Sequence, residues 1–233
     1  MTTPTTHILF DFFGTLVGYS PERCDKEFPH TREALRRLGL ALSADELAAS
    51  WQENWYPFEE RSQTDHREFS MMDVGTAFLR AQLGREPDPA ETRALMDVYI
   101  AEWNAGVTYP DGITEWLDDL AGDYRLAIVS NVHEAYLVPT HLEKMNLKTR
   151  FDAVVLSVEV GWRKPHPEIY ATALGLLGAQ PDQAVFVGDT HVADYVGPER
   201  AGIRSFLIDP FDRAGVPAVR RLDTIFDLSA RLS

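Results

Sequence analysis

Residues 8–10 form a short apolar run that ends at Asp11 and passes into Phe12-Phe13-Gly14-Thr15. That is the pattern of a buried strand whose C-terminal end delivers an acid into a glycine-containing turn. Residues 125–129 ending at Ser130, 153–156, and 184–187 ending at Gly188-Asp189 share this character, and 206–208 ending at Asp209 is a fifth such run. Helical periodicity occupies 112–120, 135–145, 167–177 and 194–201. Strands alternating with helices predict an α/β fold with a mainly parallel sheet covered on both faces. In such sheets ligands gather at the carboxyl ends of the strands.

Residues 18–105 break the rhythm. Residues 31–38, 44–55, 69–83 and 89–103 read as successive helices, with Ser43 as a cap and Gly39 and Gly84 as stops. The pattern predicts a core of 1–17 and 106–233 carrying an all-helical cap, 18–105, inserted after the first strand. Such an insertion is a candidate lid, and substrate selection is expected mainly from it. Trp51, Trp55 and Tyr56 read first as interior packing of this module, with a pocket roof or a dimer face as alternatives.

Composition narrows the function. At 45% hydrophobic and 25% charged residues the chain is an ordinary folded protein. With 36 acidic against 22 basic side chains and a formal charge of -14, most of its surface repels nucleic acid and anionic membranes. An anionic small substrate therefore needs a local positive site. The single Cys24 excludes an internal disulfide and suits a reducing compartment. The opening MTTPTTH has no secretory pattern, and no segment approaches the ~18 apolar residues of a membrane span. A cytoplasmic monomer or homodimer without nucleic-acid or membrane partners is expected.

The chemistry lies at the strand ends. If the strands are parallel and adjacent, Asp11, Ser130, Lys164, Asp189 and Asp194 converge on one crevice. Carboxylates gathered at one point repel one another unless a divalent cation lies among them, and oxygen-only ligands favour Mg2+. In this reading Asp11 attacks phosphorus and Lys164 offsets the charge between nucleophile and phosphate. Ser130 and the backbone amides of Phe12, Phe13, Gly14 and Thr15 hold phosphoryl oxygens. Asp189 and Asp194 hold the metal.

The ordered motifs resemble the haloacid dehalogenase superfamily of phosphatases and dehalogenases. The first is Ile8-Leu9-Phe10-Asp11-Phe12-Phe13-Gly14-Thr15-Leu16 and the second Leu126-Ala127-Ile128-Val129-Ser130-Asn131. The third is Arg163-Lys164-Pro165-His166-Pro167-Glu168-Ile169-Tyr170; the fourth runs from Val187-Gly188-Asp189-Thr190 through Asp194 to Gly197. The resemblance spans residues 8–202 and implies a Rossmann-like core, a helical cap, an aspartyl-phosphate on Asp11, and Mg2+ held by Asp11, Asp189, Asp194 and the backbone carbonyl of Phe13.

One departure divides the readings. Where the superfamily's phosphatases keep a proton-transfer acid, two residues after the nucleophile, this chain has Phe13. General acid-base assistance is worth roughly 10² to 10⁴ in rate. A phosphatase reading then requires a less demanding leaving group or a proton source in the cap, such as His30, His66, Glu68, Glu53, Glu59 or Glu60. The 2-haloacid dehalogenases carry an aromatic residue at this position, and Ser130, Asn131, Lys164 and Tyr170 suit that chemistry, with Arg32, Arg61 or Arg67 available for a substrate carboxylate. The Gly188-Asp189-Thr190 and Asp194 spelling favours a metal and the phosphatase. A non-catalytic binding protein on the same fold is the third reading. Asn131 and His133 are further candidate substrate contacts. A histidine is unusual in an oxygen-ligated magnesium shell, so His191, between Asp189 and Asp194, is expected to contact the metal's ligands at most, and His166 belongs to the loop that positions Lys164.

Overall fold

The computed structural model describes residues 3–20 and 25–232; Cys24 lies outside them. The chain divides into two compact units, Met1–Gly18 with Tyr109–Ser233, and Tyr19–Thr108.

The first unit is built on a six-stranded, wholly parallel sheet. In chain order its strands are β1 (His7–Phe10), then, after two-residue β2 (Gly18–Tyr19) and β3 (Val107–Thr108), β4 (Arg125–Ser130), β5 (Ala153–Leu156), β6 (Ala184–Gly188), β7 (Arg204–Ile208) and β8 (Arg221–Leu222). Their spatial order is β5-β4-β1-β6-β7-β8, while β2 and β3 pair separately. The central β1 and β6 are buried along their whole length, which is why they read as continuous apolar runs and do not alternate. The register sets Phe10 beside Ile128 and Val187, so the ends of β1, β4 and β6 come out together. One layer of core joins Leu9, Val129 and Phe186 to Ile169, Tyr170 and Ala173 of the helix Pro167–Leu177. His166 caps that helix by accepting the Glu168 amide, and Gly178, at φ +66°, ends it.

The second unit holds four helices: α1 (Pro29–Arg37), α2 (Ala44–Asp65), α3 (Met71–Leu83) and α4 (Pro89–Asn104). Reciprocal capping boxes start three of them, Ser43 with Glu46, Ser70 with Asp73 and Asp88 with Glu91. Each such cap stabilises its helix by ~1 kcal/mol. α1 has no side-chain cap of its own; Glu102 of α4 accepts the amides of His30 and Thr31, both at 2.8 Å. Trp51 stacks on Tyr99 at 4.2 Å and Trp55 meets Phe69 edge-on, so both pack inside this unit, whereas Tyr56 is exposed. α2 continues past residue 55, where the sequence pattern ends it, and accommodates Pro57 in its interior. No helix among the described residues is long and apolar enough to cross a membrane.

Candidate active site

Asp11 follows β1 directly and is bound into the sheet by its amide, which donates to the Val187 carbonyl at 2.9 Å. The chain then turns tightly: Leu16 and Val17 donate to the Phe12 carbonyl at 2.9 and 3.1 Å, and Gly14 donates to Val17 at 2.7 Å. Thr15 also donates to Phe12, at 3.3 Å. The Gly14 and Thr15 amides, expected to hold anion oxygens, thus bond within the turn. Gly14 has φ +87°, and a Cβ there would lie 2.3 Å from Asp189 Oδ2. Both the left-handed backbone and the close approach of Asp189 demand glycine.

Lys164 connects the acids. Its Nζ lies 2.7 Å from Asp11 Oδ1 and 2.7 Å from Asp194 Oδ1, with the side chain almost wholly buried. Asn131 fixes the lysine's backbone: Oδ1 accepts the Lys164 amide at 2.7 Å, and Nδ2 donates to the Lys164 carbonyl at 3.1 Å. Its side chain is therefore occupied in presenting Lys164, which differs from the expected substrate contact. Trp162 stacks on His166 at 3.8 Å, bracketing the lysine in sequence as the loop reading anticipates.

Asp189 follows β6 at an exposed position, and Asp194 lies buried in the wide π-type turn His191–Val196, which the sequence pattern started three residues later as an ordinary helix. Asp194 Oδ2 accepts the Thr190 amide at 2.8 Å, and a Cβ on Gly188 would fall 2.3 Å from Asp194 Cγ, so the missing side chain makes room for the acid. Tyr170 donates its hydroxyl to the Ala193 carbonyl at 2.5 Å, and Gly197 has no side chain to obstruct it. Tyr170 anchors the turn that carries Asp194 and is fully buried, so it is not a substrate contact.

The electrostatics follow from the packing. Burial pushes the Asp11 carboxyl upward, with Lys164 opposing and Asp194 adding to the rise. Asp189, although open to solvent on one side, is raised by partial desolvation against the residues around it and by Asp194. Lys164 stays protonated because Asp11 and Asp194 outweigh the effect of burial. One ammonium thus faces three carboxylates. Oxygens of Asp11, Asp189 and Asp194 all lie within 4.8 Å of one another, an oxygen-only set that suits Mg2+ in donor chemistry and in charge. His191 is outside this set and stacks on Tyr195. Ser130 Oγ, at the end of β4, is buried without a hydrogen-bond partner among the described residues. A buried hydroxyl left this way is costly unless a ligand oxygen meets it.

Phe12 is completely buried; Phe13 is half-buried and meets it edge-on at 5.0 Å. Behind Phe13 lies His141, 5.8 Å between ring centres, whose Nδ1 is 2.8 Å from the Tyr109 hydroxyl. Burial holds His141 down to about 4. Sequence reading passed over His141 because a histidine inside an amphipathic helix carries no signal of its partners. Thr15 Oγ1 is 3.4 Å from Asp11 Oδ2, and His133 is half-buried beyond β4. Among the arginines offered for a carboxylate, Arg32 is held by Glu27 and the Leu42 carbonyl, and Arg61 lies over Phe58.

A parallel sheet that brings a lysine-bound aspartate to its carboxyl edge, beside two further acids, defines a candidate catalytic and metal-binding cluster of the hydrolase type. The chain belongs to the haloacid dehalogenase-like hydrolase family, whose profile matches residues 44–208. It is 36% identical over 110 residues to the human haloacid dehalogenase-like hydrolase domain-containing protein 3, a match covering 45% of this chain and 43%, less than half, of that relative. It is 30% identical to the glyceraldehyde 3-phosphate phosphatase of Methanopyrus kandleri, over 84% of this chain and 80% of that one. Among solved structures, the magnesium-bound HAD-hydrolase YfnB of Bacillus subtilis superposes with a TM-score of 0.66 at 21% identity, covering 99% of both chains. The 2-haloacid dehalogenase of Pseudomonas syringae pv. Tomato superposes at 0.67 with 20% identity, covering 98% of both.

Proposed function

We propose that the protein is a Mg2+-dependent phosphatase that forms an aspartyl-phosphate on Asp11 with a small phosphorylated metabolite. The observation that carries this is the Lys164 ammonium held 2.7 Å from both Asp11 and Asp194. Asp189 completes an acidic set that has one fixed positive charge and so accepts a cation. Similarity to a glyceraldehyde 3-phosphate phosphatase supports a small phosphorylated substrate.

Asp11, Asp189, Asp194 and the Phe13 carbonyl are the groups that would hold the metal, and the bound cation would neutralise phosphoryl oxygens and keep Asp11 ionised. Asp11 attacks phosphorus in line, the bond to the leaving oxygen breaks, and the phosphoryl group passes to the carboxylate. Lys164 balances charge on Asp11, and Ser130 donates to a phosphoryl oxygen. Phe13 has no proton to give, so the favoured substrates are those whose leaving oxygen departs without one. Water then attacks phosphorus and regenerates the Asp11 carboxylate with inorganic phosphate.

Phe13 itself favours a second reading, 2-haloacid dehalogenation, in which halide leaves without a proton. Against it stand the acidic set around Lys164 and the commitment of Arg32 to Glu27. A screen of phosphorylated metabolites and 2-haloacids, each with and without Mg2+, decides between them. Magnesium-dependent phosphate release that disappears in Asp11→Asn supports the phosphatase; chelator-resistant halide release overturns it.

A further inference from the structure

Ser157 follows β5 directly and is completely shielded from solvent. Leu156, the last residue of β5, pairs with Ser130, the last of β4, so the chain leaving β4 passes beside Ser157. The Ser157 hydroxyl binds both backbone groups of Val132: it accepts the amide at 2.8 Å and donates to the carbonyl at 3.2 Å. At the other end of the segment 157–164 the same two stretches meet again, where Asn131 holds the Lys164 amide and carbonyl at 2.7 and 3.1 Å. Each stretch thus offers a side chain to the other's backbone. Between the two clasps, Ser157–Val160 form one helical turn, closed by the Gly161 amide on the Ser157 carbonyl at 2.7 Å, with Gly161 at φ +80°. The loop that carries Ser130 and the segment that carries Lys164 are therefore joined at both ends of that segment.

We propose that Ser157 is a positioning residue for the reaction: its grip on Val132, together with the Asn131 clasp, fixes the Lys164 backbone and so holds the ammonium against Asp11. The catalytic consequence rests on the phosphatase reading; the coupling of Ser157 to Lys164 does not. A lysine stem is flexible, so the place of its ammonium depends on where its backbone is held. A misplacement of about 1 Å costs on the order of 10² in rate when the group acts on the reacting atoms.

The test combines steady-state kinetics in Mg2+ with amide hydrogen exchange on the full chain and its Ser157→Ala variant. Ser157→Ala should lower kcat by roughly 10- to 100-fold with KM little changed. In an Asn131→Ala background, where the lysine has already lost its clasp, the same change should cost kcat little more. The Lys164 amide, which bonds to Asn131 and not to Ser157, should exchange roughly 10-fold faster in Ser157→Ala relative to the Phe186 amide of the central strand β6, which reports overall stability. Ser157→Cys keeps the volume but hydrogen-bonds weakly, and carries the same test if the alanine variant does not fold. An unchanged kcat, additive losses in the double variant, or Lys164 exchange that merely follows Phe186 overturns the proposal. The two readings fail separately: phosphate release indifferent to Ser157 removes the positioning role alone, while Lys164 exchange that outruns Phe186 in a chain without phosphate release removes the phosphatase alone.

Discussion

The Lys164 ammonium lies 2.7 Å from the Asp11 carboxylate and equally close to Asp194, although 153 residues separate it from Asp11. Removing one partner from a buried charge cluster costs more than the cluster itself contributes, because the charges left behind have neither water nor a counterion. Lys164→Met should therefore lose about 3 to 5 kcal/mol of stability in denaturant titrations, together with nearly all turnover. Pairing it with Asp11→Asn and Asp194→Asn should recover much of the stability but none of the activity.

Three carboxylates facing one ammonium should draw a divalent cation into the native state only. Mg2+ is expected to stabilise the fold with the logarithm of its concentration over its Kd, by about 2.7 kcal/mol at a hundredfold excess, and so to raise the unfolding midpoint. Asp189→Asn should remove most of that shift. Differential scanning calorimetry with and without a chelator checks this independently of any substrate.

Phe13 occupies the position of a missing proton donor. Phe13→Asp should raise kcat for alkyl phosphates by roughly 10-fold or more relative to aryl phosphates, making the dependence of rate on leaving-group pKa shallower. Because Phe13 packs against Phe12 and His141, the same change should lower stability by about 1 to 3 kcal/mol. An unchanged leaving-group slope would contradict the assignment of this position.

His141 is buried neutral, its proton affinity lowered to about 4 by desolvation. Between the unfolded value near 6.5 and that lowered value, the native state binds fewer protons than the unfolded chain, so stability falls as pH drops through this window. The contribution is about 1 to 3 kcal/mol. Asp11, raised by burial, acts in the opposite direction, so the difference between the wild type and His141→Asn is the quantity to measure. That difference should shrink steadily from pH 6.5 to 4, as followed by urea denaturation.

The long strands and the four cap helices were legible because burial on both sheet faces and capping residues both leave marks in local sequence. β2, β3 and β8, two residues each, are too short to show any period. α2 was read as ending at residue 55, ahead of Pro57, but packing carries it to Asp65 despite the proline. Asp11, Ser130, Lys164, Asp189 and Asp194 could be named because each ends a strand or follows one closely in a recognisable motif. The clasp of Asn131 on the Lys164 backbone and the hold of Tyr170 on Ala193 are long-range pairings between loops and helices that no local pattern encodes.

The central claim is that a phosphoryl group passes onto Asp11 and that water removes it by attack at phosphorus. A single turnover in ¹⁸O-labelled water with Mg2+, followed by mass spectrometry of the phosphate and of the peptide containing Asp11, tests this directly. The account predicts label in the released phosphate and none in the Asp11 carboxylate. Label in that carboxylate, the mark of ester cleavage at carbon, would contradict it.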